Sequence, residues 1–387
     1  MKIMDYDVAV AGAGLAGLAL ACSLTGTSVA LVARDLPSAP PSDGFDARVY
    51  AISPANVVHL ERLGVWQRIP ATCRTPVYGM QIHGDDGRSV LGFDAYEAGV
   101  PALAWIVEDS RLQAALFEGV SSRPDVSLLI PAMLEEFEAD EGGLRIRLGD
   151  GRRLDASLLV GADGAASRVR VEAGMSAIES DYGQTAVVAN FHTGRPHHGM
   201  AYQWFQGGPV LALLPLPGDA VSMVWSLPQA QAQALLEAPR ARFEASVLNA
   251  SLGVLGSLDL AGAPRGFPLR RLRVPQPVSH RVALIGDAAH VVHPLAGQGM
   301  NLGLQDARTL ADVLSRREPG RDPGDGALLR RYARARAEDV RAMDRVVDGL
   351  FRLFGGAGIA RALRNPGLAI ADRMPMLKGL MVRRAMS

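Results

Sequence analysis

The apolar positions fall into runs whose length and spacing change along the chain. Tyr6–Ala11 is a compact apolar run, the pattern of a strand buried on both faces. Residues 14–24, rich in Leu and Ala, read as a helix, and residues 28–32 as a second strand. Pro, Ser and Asp crowd residues 37–46 and predict a loop. Helical spacing follows at 55–63, with Gly64 as its stop. Alternating runs between Met80 and Phe93 flank Asp85-Asp86-Gly87 and predict a hairpin. Residues 110–117 are again helical, two β-like runs bracket Gly149-Asp150-Gly151, and residues 157–160 predict another buried strand. From 185 to 227, Val, Phe, Trp and Leu with turn prolines predict an antiparallel sheet of its own. Residues 281–285 form a further buried strand, leading through a Gly-rich turn to a helix over 302–314. A long Arg-studded helical pattern covers 326–354, and residues 359–387 close the sequence.

One segment imitates something else. From Val8 to Ala33 there are 26 residues without a charge, long enough to span a bilayer or pose as a signal peptide. Gly12, Gly14, Gly17 and Gly26 interrupt it, and acidic Asp5 and Asp7 precede it where a signal peptide would carry basic residues. A buried strand–helix–strand start is the better reading. The length of 387 residues gives two to three domains at roughly 150 each. Forty basic against forty acidic residues leave a formal net charge of zero, which argues against a nucleic-acid binder. Cys22 and Cys73 make neither a disulfide framework nor a metal site, so reduced thiols and a cytoplasmic address are expected.

Three turns carry candidate chemistry. Gly12-Ala13-Gly14-Leu15-Ala16-Gly17 is a G-x-G-x-x-G between strand and helix. Its glycines serve the tight turn, the approach of backbone to a pyrophosphate, and close helix–strand packing. The helix N-terminus adds free N–H groups and partial positive charge. The acidic residue that should follow roughly 20 positions later is offered by Asp35, beyond the expected strand end. The second turn is Gly161-Ala162-Asp163-Gly164, common in composition and weak alone. The third is Gly286-Asp287-Ala288-Ala289-His290, continuing to Pro294 and Gly297-Gln298-Gly299-Met300-Asn301. It places a carboxylate at a strand end and a Gly-rich turn before a helix, suited to a ribitol hydroxyl and a developing flavin anion.

Together these turns resemble the class A flavoprotein monooxygenases, the group typified by para-hydroxybenzoate hydroxylase. The likeness narrows at Asp46-Ala47-Arg48-Val49-Tyr50-Ala51-Ile52-Ser53, Leu213-Leu214-Pro215-Leu216-Pro217, Val224-Trp225-Ser226 and the stretch 286–303. It is similar there to the ubiquinone-biosynthesis hydroxylases, nearly end to end. The resemblance implies an α/β fold with a Rossmann-like FAD-binding domain assembled from residues 1–72, 100–175 and 271–330. A β-rich substrate domain (73–99 and 176–270) and C-terminal helices (331–387) complete it. It implies non-covalent FAD, NADH or NADPH as reductant, O₂, and a polyprenylated phenol as substrate. Carried over by position, Gly12, Gly14 and Gly17 meet the pyrophosphate, Arg48 the FAD phosphates, and Asp287 the ribitol. Asp163 serves FAD and NAD(P)H, and Gly299, Met300 and Asn301 face the flavin pyrimidine edge. Pro294 and Pro215 lie near the isoalloxazine, and no protein acid or base is assigned. Ala33 and Ala166 depart from the family, which commonly has an acidic residue and Asn there.

A metal site has no complete ligand set, since His290 and His293 stand without a carboxylate or Cys cluster in sequence. Hydrolase chemistry lacks a nucleophile elbow around Ser53 or Ser167. None of Trp66, Trp105, Trp204 or Trp225 forms the Trp-x-Trp pair of flavin halogenases. A hydroxylase of a small soluble aromatic and a non-catalytic flavoprotein subunit remain as alternatives. Residues 361–387 hold six Lys or Arg against Asp372 alone, six minus one or net +5. This segment is expected to lie on an anionic membrane, to pack on the FAD domain, or to dock other proteins of the pathway.

Overall fold

The computed structural model describes residues 5–86, 88–293 and 299–355. Pro294 and the basic stretch 361–387, both singled out from sequence, lie outside the described residues.

The charge-free start folds as expected into strand Tyr6–Ala11, helix Leu15–Ser23 and strand Val29–Val32. The first strand is the centre of a parallel sheet. Val8 pairs with Val29 on one side and with Leu158 of strand Arg153–Gly161 on the other. Val126–Leu129 extends the sheet beyond Val29–Val32, and Val282–Leu284 extends it beyond Arg153–Gly161. Val8, Val10, Leu31 and Val160 are buried to within 0% exposure, because helices cover one face and a hairpin layer the other. Each such side chain contributes about 1.5–3 kcal/mol relative to an exposed one. The helical side consists of Leu15–Ser23, Asp109–Ser121 and Gly299–Ser315, with Leu329 and Tyr332 of the long helix Gly326–Gly355 joining the same core. The opposite layer is the pair Leu134–Asp140 and Gly143–Leu148, turning back into Arg153–Gly161.

A second, nine-stranded sheet is built around the 16-residue strand Ile178–Thr193, flanked by Ala220–Pro228 and Arg265–Arg273. The expectation of a self-contained antiparallel sheet over 185–227 needs correction here. Met200–Phe205 pairs in parallel with Gly79–His83, so the sheet recruits the upstream hairpin. One face is covered by helices Gln229–Leu236 and Arg240–Ala250, where Phe243 stacks against Phe191 at 6.1 Å. On the other face Ala201, Leu216 and Ala220 pack on Val77 and Ile106. Those two belong to a small sheet of Val49–Ile52, Ala104–Glu108 and Thr75–Val77. The nine-stranded sheet thus meets the half built on the parallel sheet through the segment that carries Arg48.

Candidate functional site

The three glycine-bearing turns, spread over nearly 300 residues of sequence, converge on the start of the first helix. Gly12 has φ +113, and a Cβ there would meet Ala162 O at 2.2 Å and Asp163 N at 2.9 Å. A Cβ on Gly17 would lie 2.0 Å from Gly12 O. These are collisions of backbone with backbone, so glycine is the residue that lets the first and second turns touch. Gly286, at φ +58, would bring a Cβ to 3.0 Å from the Ala16 methyl. Gly14 differs: a Cβ there would meet no atom within 4 Å. It is also the N-cap of Leu15–Ser23 and makes no side-chain cap bond, leaving the first N–H groups of the helix to a ligand. Gln113 Nε2 donates to Ala13 O at 3.0 Å and steadies the turn from the neighbouring helix.

Asp287 follows strand Val282–Leu284 in a short 3₁₀ turn. Among the described residues it has no hydrogen bond or ion pair, and it keeps solvent access while its neighbours from Ile285 to His290 are buried. The protein crowding its carboxyl still withholds enough water to push its pKa above the usual range, against the pull of His290 and Arg48. Arg48 is exposed, reaches Tyr50, and stacks over the Phe267 ring at 4.2 Å. Its segment is held in place by Glu108, which accepts from Asp46 N at 2.8 Å and from Arg111 Nε at 2.5 Å. From the nine-stranded sheet, Asn190 Nδ2 donates to Asp46 O at 2.9 Å. Asp163 Oδ2 accepts from Val169 N at 3.1 Å, while its buried Oδ1 has no partner among the described residues.

The remaining sequence candidates are placed as follows. Gly299 and Met300 open the helix Gly299–Ser315 instead of sitting in a turn before it. The Asn301 side chain is turned inward: Oδ1 accepts from Ser53 N and Asn56 Nδ2, both at 2.9 Å, and Nδ2 donates to Ala51 O at 2.8 Å. That ties the helix start to the Arg48 segment. Asp35 is paired with Arg34 at the surface, its side chain 74% exposed. Ala33, where the family commonly has an acid, is buried, and its backbone bonds Leu129 and Ala132. Pro215 is buried within Val210–Leu216, paired with Val221 on the parity of Leu211 and Leu213. Sequence reasoning missed Gln113, Glu108, Asn190 and Asp306. Asp306 was detectable, because Leu302, Asp306 and Leu310 share one helix face and Asp306 is the charge on that apolar stripe.

A model of the family described as "FAD binding domain" matches residues 5–346. The chain is 35% identical to the "ubiquinone hydroxylase UbiL" of Rhodospirillum rubrum, over 98% of this chain and 89% of that one. It is 33% identical to the 3-demethoxyubiquinol 3-hydroxylase of Escherichia coli, over 98% and 97%. The chain belongs to the ubiquinone-biosynthesis hydroxylase family of FAD-dependent monooxygenases. Among solved structures, p-nitrophenol 4-monooxygenase PnpA of Pseudomonas putida superposes with a TM-score of 0.80, at 17% identity, over 100% of this chain and 99% of that one. That likeness speaks for the fold. FAD is the cofactor of this flavoenzyme family, and the residues here fit it: open space over Gly14, an uncapped helix start, and a carboxylate at Asp287 that is unpaired among the described residues. Among the described residues, no helix is long and apolar enough to cross a membrane.

Proposed function

We propose that this enzyme hydroxylates the aromatic ring of a polyprenylated phenol in ubiquinone biosynthesis, using FAD, NAD(P)H and O₂. The observation that carries the reading is the convergence of three turns far apart in sequence on one helix start, in a chain related end to end to ubiquinone hydroxylases. In this reading Gly12, Gly14 and Gly17 form the bed for the FAD pyrophosphate, with the helix N–H groups as donors. Asp287 accepts from a ribitol hydroxyl, and Arg48 neutralises phosphate charge. Asp163, with its free Oδ1, stands beside the same turn for FAD or NAD(P)H. Pro215, Pro294 and residues 299–301 are assigned to the flavin surroundings by position alone. When bound, FAD supplies electron transfer from NAD(P)H and activation of O₂ for insertion of one oxygen atom. The protein orients cofactor and substrate and keeps water out.

A polyprenyl chain partitions into membrane, so the enzyme must meet its substrate at a bilayer or receive it from a partner. The net +5 stretch 361–387 is our candidate for the bilayer. Reversing Lys378, Arg383 and Arg384 is expected to abolish co-sedimentation with anionic vesicles, and unchanged co-sedimentation contradicts the assignment. The activity itself is tested with purified protein, NAD(P)H, O₂ and a prenylated phenol, looking for a product heavier by one oxygen atom. Oxidation of NAD(P)H that leaves every prenylated phenol offered unchanged would count against it. FAD is expected to leave the protein on acid precipitation, whereas retained flavin would mean a covalent link.

A further inference from the structure

Asp306 is 1% exposed, a carboxylate buried on the helix Gly299–Ser315. Its Oδ2 accepts from Gly286 N at 2.9 Å and from His290 Nε2 at 2.6 Å. Its Oδ1 accepts from Arg336 Nε at 2.7 Å. Arg336, on the long helix Gly326–Gly355, also donates to Asp339 Oδ2 at 2.8 Å. From the same helix, the Tyr332 hydroxyl donates to Leu284 O at 2.9 Å, just before the turn.

We propose that Asp306 is a positioning residue for cofactor binding: bonded at once to Gly286, His290 and Arg336, its carboxylate sets the turn that presents Asp287 to FAD. The inference rests on the assignment of Asp287 to the FAD ribitol. A buried ion network is weak grounds for stability alone, because apolar side chains of similar volume often serve as well. What distinguishes this network is where its bonds go. The two donors from the turn, Gly286 and His290, bracket Asp287, the one residue between 285 and 290 that remains exposed. Among the described residues His290 Nδ1 is buried without a partner, and Asp306 anchors the ring through Nε2. His290 and Arg336, bonded to opposite oxygens, keep the carboxylate from rotating. Burial alone would raise the Asp306 carboxyl, but His290 and Arg336 hold it below its ordinary range. Burial alone would lower the His290 imidazole, and Asp306 reverses that.

The test measures the FAD dissociation constant of the full-length protein, by flavin fluorescence on dilution of the holoenzyme. Asp306→Asn keeps the shape and removes the charge. It is expected to raise the constant about tenfold or more, as loss of charge-assisted bonding would. In an Asp287→Ala background the same change is expected to raise it less than about threefold, because the two residues act through one turn. His290→Gln, which keeps an N–H at the reach of Nε2, is expected to stay within about threefold of wild type, while His290→Leu loses about tenfold. An equal loss from Asp306→Asn in both backgrounds overturns the proposal, as does an equal effect of Gln and Leu at position 290. Should Asp306→Asn fail to fold, the His290 pair decides. If Asp287→Ala alone leaves the constant unchanged, the Asp287 assignment falls, and the proposal with it.

Discussion

The glycine turn at residues 12–17 and the helix-covered face of the nine-stranded sheet are both tightly packed, for opposite reasons. At the turn, backbone meets backbone, and the missing side chains of Gly12 and Gly17 are what allow it. On the sheet, burial comes from large side chains: Phe191, Phe243, Leu211 and Met223 fill the space between strands and helices. The first kind of packing tolerates no added atom, and the second tolerates none removed. In the function we propose, the first also coincides with the cofactor site, so stability and FAD binding would be joined there and separate on the sheet.

The largest effect is therefore expected from Gly12→Ala and Gly17→Ala. Each forces a Cβ to within 2.2 Å or less of a carbonyl oxygen, and a cost of more than about 4 kcal/mol should remove folded flavoprotein from expression. Gly14→Ala sharpens the contrast. It meets nothing in the protein, so the melting temperature without added FAD should fall by the equivalent of less than about 1 kcal/mol, while FAD binding weakens. Phe243→Ala should cost about 3–5 kcal/mol in urea unfolding and leave the FAD affinity of the folded fraction unchanged. An equal loss of FAD affinity there would erase the distinction between the two regions. Asp287→Ala should cost about 1.5–3 kcal/mol of FAD binding, one to two decades in affinity. Asp312→Ala, farther along the helix Gly299–Ser315, serves as control, and a matching loss would expose general destabilisation.

The seam between the regions gives an effect that depends on pH. His293 Nε2 donates to Gln184 Oε1 at 3.2 Å, and Tyr182 meets the ring edge-on at 4.7 Å. Burial lowers its pKa from 6.5 to about 4. The unfolded chain then binds the proton first as pH falls, so this contribution is present above pH 6.5 and lost on the way to pH 4. Unfolding measured at pH 7 and pH 5 should show a drop that His293→Gln reduces by about 2 kcal/mol. His59, also lowered to about 4, keeps part of the drop in the variant. An undiminished drop would mean that His293 is not neutral and buried in solution.

The same contrast explains what could be read from the sequence. The turn is local: an apolar run, glycines at fixed spacing and a Leu/Ala-rich helix lie within 20 residues, so the motif names its structure. The second turn was too common in composition to be read alone, and the third was legible from its carboxylate at a strand end. The sheet depends on register between distant segments. Nothing local in Met200–Phe205 reveals its parallel pairing with Gly79–His83. Arg265–Arg273 carries four Arg, a Gly and a Pro among its nine residues and shows no buried-strand pattern. The helices Gln229–Leu236 and Arg240–Ala250 were missed because Gln, Ala and Arg dilute their apolar stripes. Asp35, the first acid past the expected spacing, lies at the surface beside Arg34, since the strand before it ends at Val32. Asp306 and Arg336, 30 residues apart, meet only when two helices pack.

The central claim, ring hydroxylation of a polyprenylated phenol with FAD, is tested most directly by profiling quinones in cells lacking this protein. The account predicts accumulation of a prenylated ring one hydroxylation short, reversed by the wild-type chain and not by Asp287→Ala. A quinone profile identical to that of the parent cells would contradict it.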